Sequence, residues 1–361
     1  MNPTPLLSLV SFCGLLCAVP AQTVVSPASR TLVEGSASTS YPLGRADGRF
    51  QQIHADLPPT LTSIVGHAFR RDAISTRGSI AAFSVDLEVR VSVAATTPAT
   101  ASTTFANNHG PSPVTVLPRT ILNFPATGRP NADPAPTFEY VIPYATPFSF
   151  PAGSTLCVET IVYGNTTSSG NDRNFSLLLD AHELRTDGKI DQPGFRFGTG
   201  CAAPGQSATH YGRLDLSRDN GLVDLVIESR NAAATTDPTQ PTMTALVLGT
   251  AAISTPWSWL PNCTQYSPFD LVLTLAGVTD AAGDLDETLA GFEALPDGFR
   301  FVAQLVSGNL ATGDLTFADA SWMTIPTPDP TTLPAVRISA ANDHTAATGS
   351  VSASVPVTMF L

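Results

Sequence analysis

Cys201 stands in FRFGTGCAAPGQS, residues 195–207, with two glycines shortly before it and a Pro-Gly pair after it. Three chemistries suit such a stretch: a phosphate cradle, a nucleophile on a tight turn, or half of a disulfide where one domain gives way to the next. A phosphate loop needs G-x-x-x-x-G-K-[ST] between a strand and a helix, and neither a lysine nor a helix-forming run follows Gly205. A nucleophile elbow needs G-x-S-x-G, which the chain lacks. Glycine is the default wherever a backbone turns tightly, so the stretch reads as a boundary turn carrying half a disulfide.

Cys263, in WLPNCTQY, also sits beside breakers, and a Cys201–Cys263 bond would tie two loops together. Cys157, in STLCVETIVYG, is flanked by strand formers and reads as a buried free thiol. No C-x-x-C spacing supports a zinc site. Asp280, Asp284, Asp286 and Glu287 crowd the loop DAAGDLDET, an oxygen cluster of the kind hard cations take. Calcium is thus the one cofactor the sequence suggests, against the plainer reading of a solvated acidic turn. Trp257 and Trp259, in TPWSWLP, are two residues apart. On a strand their rings share a face and can stack on a sugar; otherwise they plug the core beside Cys263. Paired carboxylates can hydrolyse glycosides, yet Glu88, Glu139, Glu159 and Glu183 fall on strand-like segments, where wet-face acids are ordinarily solvated. His182-Glu183 opens like H-E-x-x-H, but residue 186 is threonine. His54, His67 and His109 read as hydrogen-bonded structural groups, and Arg70 with Arg71 as a solvated strand end.

The elements that must position these groups are strands. From Phe83 to Val93, six apolar residues alternate with Ser84, Asp86, Glu88, Arg90 and Ser92, which gives one buried face and one wet face. Similar runs recur in FEYVIP, NFSLLLDAHEL, LVDLVIES, MTALVLG, FDLVLTLAG, FRFVAQLV and VSASVPVTMF, and 31 prolines and 26 glycines cut the chain between them. Only residues 287–295 suggest a short helical turn. Many short strands without alternating helices predict an all-β fold of two antiparallel, jelly-roll-like β-sandwich domains in tandem. RTDGKIDQPG carries Asp-Gly and Pro-Gly turn chemistry and marks the join.

Charge and the N-terminus set the compartment. Eighteen basic residues against 30 acidic ones give a net charge of −12, and Lys189 is the only lysine. That balance argues against nucleic acid and anionic membrane surfaces, both of which attract basic patches. LLSLVSFCGLLCAVPA is too short for a membrane span and ends with Val19 and Ala21 at the −3 and −1 positions of a cut before Gln22, the pattern of an export signal. The expected plan is a signal peptide over 1–21, an extension over 22–39, a sandwich over 40–185, a linker over 186–194 and a second sandwich over 195–361. The mature chain is expected to be secreted or at the cell surface, with no membrane span.

FGTGCAAPG, then LVLG, LPNC and FRFVAQLV, resemble a domain that recurs in exported proteins of planctomycete-type bacteria, with a G-x-G-C turn, an L-x-L-G strand and a second cysteine after Leu-Pro. Upstream, YPLGRADGRFQQIHADLPPTLTSIVGHAFRRDA, DLEVRVSV, TTFANNHG and PFSFPAGSTLCVET resemble another exported β-module of such organisms, with an R-[YF]-Q-Q start and an F-x-x-N-x-G turn. Cys157 stands where that pattern has leucine. The resemblance implies β-modules and export, and assigns no chemistry. The function expected is a non-catalytic exported protein that binds a glycan, matrix or cell-envelope protein. The alternative is a secreted hydrolase whose paired carboxylates converge in one cleft. Sequons at Asn165, Asn174 and Asn262 do not separate the two.

Overall fold

The strand Phe83–Val93 carries its sequence alternation into space: Phe83, Val85, Leu87, Val89 and Val91 enter the core, while Ser84, Asp86, Glu88 and Arg90 stay half-exposed. The computed structural model describes residues 23–73, 79–128, 135–166, 175–185, 189–260, 262–309, 312–328 and 332–361. The expected signal peptide lies outside them. All the sheets are antiparallel, as expected for an all-β sandwich fold. Among the described residues no helix is long and apolar enough to cross a membrane.

The first sandwich sets a six-stranded sheet against a four-stranded one. The larger sheet runs, edge to edge, Ser350–Ser352, Ala335–Ala341, Gly48–His54, Leu156–Thr166, Phe83–Val93 and Val114–Phe124. The smaller runs Val24–Ser26, Thr358–Phe360, Ser63–Phe69 and Tyr140–Ser149. Their shared core includes Phe50, Ile64, Phe69, Val89, Val158 and Phe360. A three-stranded sheet, Ala37–Thr39, Leu179–Glu183 and Ser354–Pro356, lies alongside.

The second sandwich occupies residues 190–325. Ile190–Pro193, Tyr211–Asp219, Leu222–Arg230 and Leu285–Leu289 form one sheet. Phe195–Phe197, Asp314–Thr324, Arg300–Asn309, Met243–Gly249 and Leu271–Val278 form the other. Leu214, Leu225, Leu246, Phe301 and Leu305 belong to its separate core.

Strand pairing corrects the tandem plan. Residues 335–360, assigned to the second sandwich, pair with the first: Ala335–Ala341 lies against Gly48–His54, Ser354–Pro356 against Leu179–Glu183, and Thr358–Phe360 against Ser63–Phe69. Within the expected extension over 22–39, Val24–Ser26 and Ala37–Thr39 are also strands of the first sandwich, because Val24 pairs with Phe360 and Ala37 with Ala181. The end of the assigned linker, Ile190–Pro193, is a strand of the second. The second sandwich is therefore an insertion, and the two described ends of the chain meet in one sheet. Alternation identifies a strand and says nothing about its partner, so pairing across some three hundred residues leaves no local mark. Of the helical turn expected over 287–295, residues 287–289 end the strand Leu285–Leu289, and Phe292–Ala294 form a single 3₁₀ turn.

Candidate functional site

The GTGC turn serves close approach. Gly198 has φ +76°, and a Cβ there would meet the Tyr266 ring; a Cβ on Gly200 would lie 1.9 Å from the His210 carbonyl oxygen. Those approaches let the Cys201 N–H donate to the Phe317 carbonyl at 2.9 Å and bring Cys201 to Cys263 in the expected disulfide. Around it pack Phe317, Trp257, Leu260, Val306 and Leu315, covering the outer face of the five-stranded sheet. Buried Gln304 fixes the same cover, accepting from the Tyr266 N–H at 2.8 Å and donating to the Thr264 carbonyl at 3.0 Å. The bond spans 62 residues, for which chain entropy gives about 4 kcal/mol. Cys201→Ala/Cys263→Ala is expected to lose about that much in urea unfolding, and addition of reductant to the wild type should reproduce the loss.

Trp257 and Trp259 lie in the turn after the short strand Thr255–Pro256, which corrects the strand placement. Their ring centroids are 4.9 Å apart at 60°, so they form no flat platform. Trp257 covers the disulfide and donates its indole N–H to Gln265 at 3.2 Å. Trp259 is 62% exposed. Phe269, 41% exposed, lies 6.4 Å from Trp257, and beyond it Leu271 and Val272 are 50% and 51% exposed. These exposed apolar groups gather at the edge strand of the five-stranded sheet, where the consecutive residues Leu271 and Val272 point to opposite faces.

The acidic loop spends its carboxylates locally. Asp280 accepts from the N–H groups of Ala282 and Asp284, which hold its carboxyl below the usual range. Asp284 accepts from the Asn231 N–H, Asp286 pairs with Arg230 at 2.5 Å, and Glu287 accepts from the Ala276 and Gly277 N–H groups at 3.0 Å each. Among the described residues, the only three acids, histidines or cysteines with ligand atoms within 4.8 Å of one another are Glu34, Asp72 and Asp180, all buried. There Arg70 supplies a cation, pairing with Asp180 at 2.6 Å while donating to the Arg30 and Val33 carbonyls. Arg70 and Arg71 are thus buried, contrary to the solvated strand end expected. Burial and the neighbouring Asp180 push the Glu34 carboxyl well above its ordinary range.

Two constellations escaped the sequence because their members are distant. On the outer face of the six-stranded sheet, Ser92 Oγ lies 2.8 Å from His109 Nδ1, and His109 Nε2 lies 3.5 Å from Glu159. Glu159 is fully buried rather than solvated. Burial alone would raise its carboxyl, and the nearby His109 ring together with the hydrogen bond from Arg49 at 2.8 Å outweighs that and holds it low. Cys157, free and fully buried, has its thiol pushed up by burial and the Glu159 charge. Residues 94–110 cover the group through Asn108, which donates to Gln51 and the Ser102 carbonyl. Ser92 is 2% exposed, and the cluster reads as a polar pin under a loop.

The second constellation borders a cleft of about 410 Å³ where the two sandwiches meet. Ser36 Oγ lies 3.0 Å from His182 Nδ1, and Glu183, Asp191 and Asp215 line the same space. Burial raises the Asp215 carboxyl despite Arg213 at 2.8 Å. Asp191 and Asp215 stand on paired strands two residues out of register, within the reach that diagonal neighbours have. Glu88 and Glu139 take no part. Of the sequons, Asn165 is buried with its amide on the Arg45 carbonyl, Asn262 is exposed, and Asn174 lies outside the described residues. No family model, curated protein or solved structure matches the chain.

Proposed function

We propose that this is an exported, non-catalytic protein of the cell surface or extracellular space that binds another protein through the inserted sandwich. The observation that carries the reading is the exposed apolar edge of Trp259, Phe269, Leu271 and Val272. Exposed large apolar groups gathered at one edge mark association sites, and a tryptophan backed by packed rings is a suitable anchor. The tilt between the two tryptophans favours a polypeptide over the face of a sugar ring. The disulfide and the N-terminal sequence support the oxidising compartment.

A photo-crosslinker at position 259, on the chain secreted by its own host, is expected to trap polypeptide, and Leu271→Ser/Val272→Ser to abolish the adduct. Selective glycan-array binding lost in Trp259→Ala would overturn the reading in favour of a lectin. The junction cleft favours a second reading, glycoside hydrolysis with Asp215 as acid and Asp191 as partner. Release of reducing sugar that falls at least a hundredfold in Asp215→Asn, with folding intact, would establish it.

A further inference from the structure

The strand Leu271–Val278 is the last of its sheet, so one row of its backbone groups has no neighbouring strand among the described residues. Exposed sheet edges are blunted in stable proteins by charge, proline or a cover. Here the eight residues LVLTLAGV contain no charge and no proline. Only one end is blunted: the Glu287 carboxylate takes the Ala276 and Gly277 N–H groups at 3.0 Å. Residues 271–275 remain, and Leu271 and Val272 belong to the exposed apolar groups at this edge.

The charge around this edge is mostly acidic. Residues 231–299 contain eight acids and no lysine or arginine. Asp270 stands exposed at the start of the strand; Asp280, Asp284, Asp286 and Glu287 cluster past its end, with Arg230 of the neighbouring sheet balancing part of that charge. A second copy of the chain would bring this mostly acidic surface against itself. The geometry points to a different occupant: we propose that residues 271–275 accept an added β-strand from a partner polypeptide whose apolar, β-branched core of about five residues is flanked on both sides by Lys or Arg. Backbone hydrogen bonds supply the affinity, Trp259 and Phe269 contact the apolar core, and the flanking bases meet Asp270 and the acidic loop. This rests on the protein-binding reading above.

The test is fluorescence anisotropy of the full chain with a labelled nonapeptide, Val-Thr-Val-Thr-Val between two basic residues at each end. Saturable binding is expected. It should weaken about tenfold in Leu271→Ser/Val272→Ser, whose changes fall on exposed positions, and several-fold in Asp270→Asn. A peptide with the same ends and a Gly-Pro core should not bind. Equal binding of that peptide would show mere charge attraction and overturn the proposal, as would no binding of the strand peptide. If the crosslinker at 259 still traps polypeptide in that case, strand addition fails and the protein-binding reading survives. If it traps none, both fail.

Discussion

Removal of residues 335–361 is expected to unfold the first sandwich and leave the inserted one folded. The segment fills two adjacent positions in the six-stranded sheet and one in each of the four- and three-stranded sheets, and it pairs with the strand Val24–Ser26. Val336, Ile338, Val355, Val357 and Phe360 are at most 1% exposed. At about 1.5–3 kcal/mol each, their burial contributes on the order of 10 kcal/mol, comparable to the ~5–15 kcal/mol total of a typical domain. The deletion also uncovers the backbone of Gly48–His54 on one side and parts Ser63–Phe69 from Val24–Ser26. Limited proteolysis with mass spectrometry distinguishes the outcomes. An insertion predicts a protected fragment near residues 190–325 and digestion of the rest. A tandem arrangement predicts the reverse, with residues 40–185 surviving.

That contrast locates what the sequence could and could not convey. Period-two alternation marks Phe83–Val93 because a strand half in and half out of a core has no other way to be written. The Cys201–Cys263 pair was legible from turn residues on both sides, since a disulfide between two covering loops needs both to stop near the same place. Partner choice was illegible, because any apolar strand edge can face any other until the whole chain is present. So was the burial of Arg70, Arg71 and Glu159. Their cost is met by groups far away in sequence: Asp180 for Arg70, Arg49 for Glu159, and the Thr127 and Gly128 carbonyls for Arg71. The exposed apolar edge at Trp259 was half legible. The two rings were visible, but a turn rather than a strand carries them, and it sends one ring over the disulfide and the other to solvent.

Acid should destabilise the chain steeply, well above the pH at which carboxylates ordinarily titrate. Three histidines are buried as neutral bases. Burial, aided by the nearby His67, lowers His54 to about 3; burial alone lowers His67 to about 3 and outweighs a backbone bond to lower His210 to about 4. Each makes one strong hydrogen bond, His54 to Ser26, His67 to Tyr144 and His210 to Ser229. In the unfolded chain the three take up protons near 6.5, so between about 6.5 and 4 the unfolded state holds up to three more protons than the folded one. Their contribution is complete above 6.5 and is lost as pH falls, at about 4 kcal/mol per pH unit when all three differ. Glu34 works the other way: its raised carboxyl favours proton binding in the folded state, which offsets part of the histidine effect. The three histidines together remove about 5 kcal/mol between pH 6.5 and 5, of which Glu34 returns a part. Urea midpoints measured from pH 7.5 down to 5 read this directly. His67→Gln removes one of the three titrating groups, so its slope should be shallower by about 1.4 kcal/mol per unit, even though the variant starts less stable at pH 7.5. A parallel, merely displaced curve would mean that His67 carries its proton in the folded state. It would then need an acidic partner in a part of the core where Tyr144 and Phe69 are its ring neighbours.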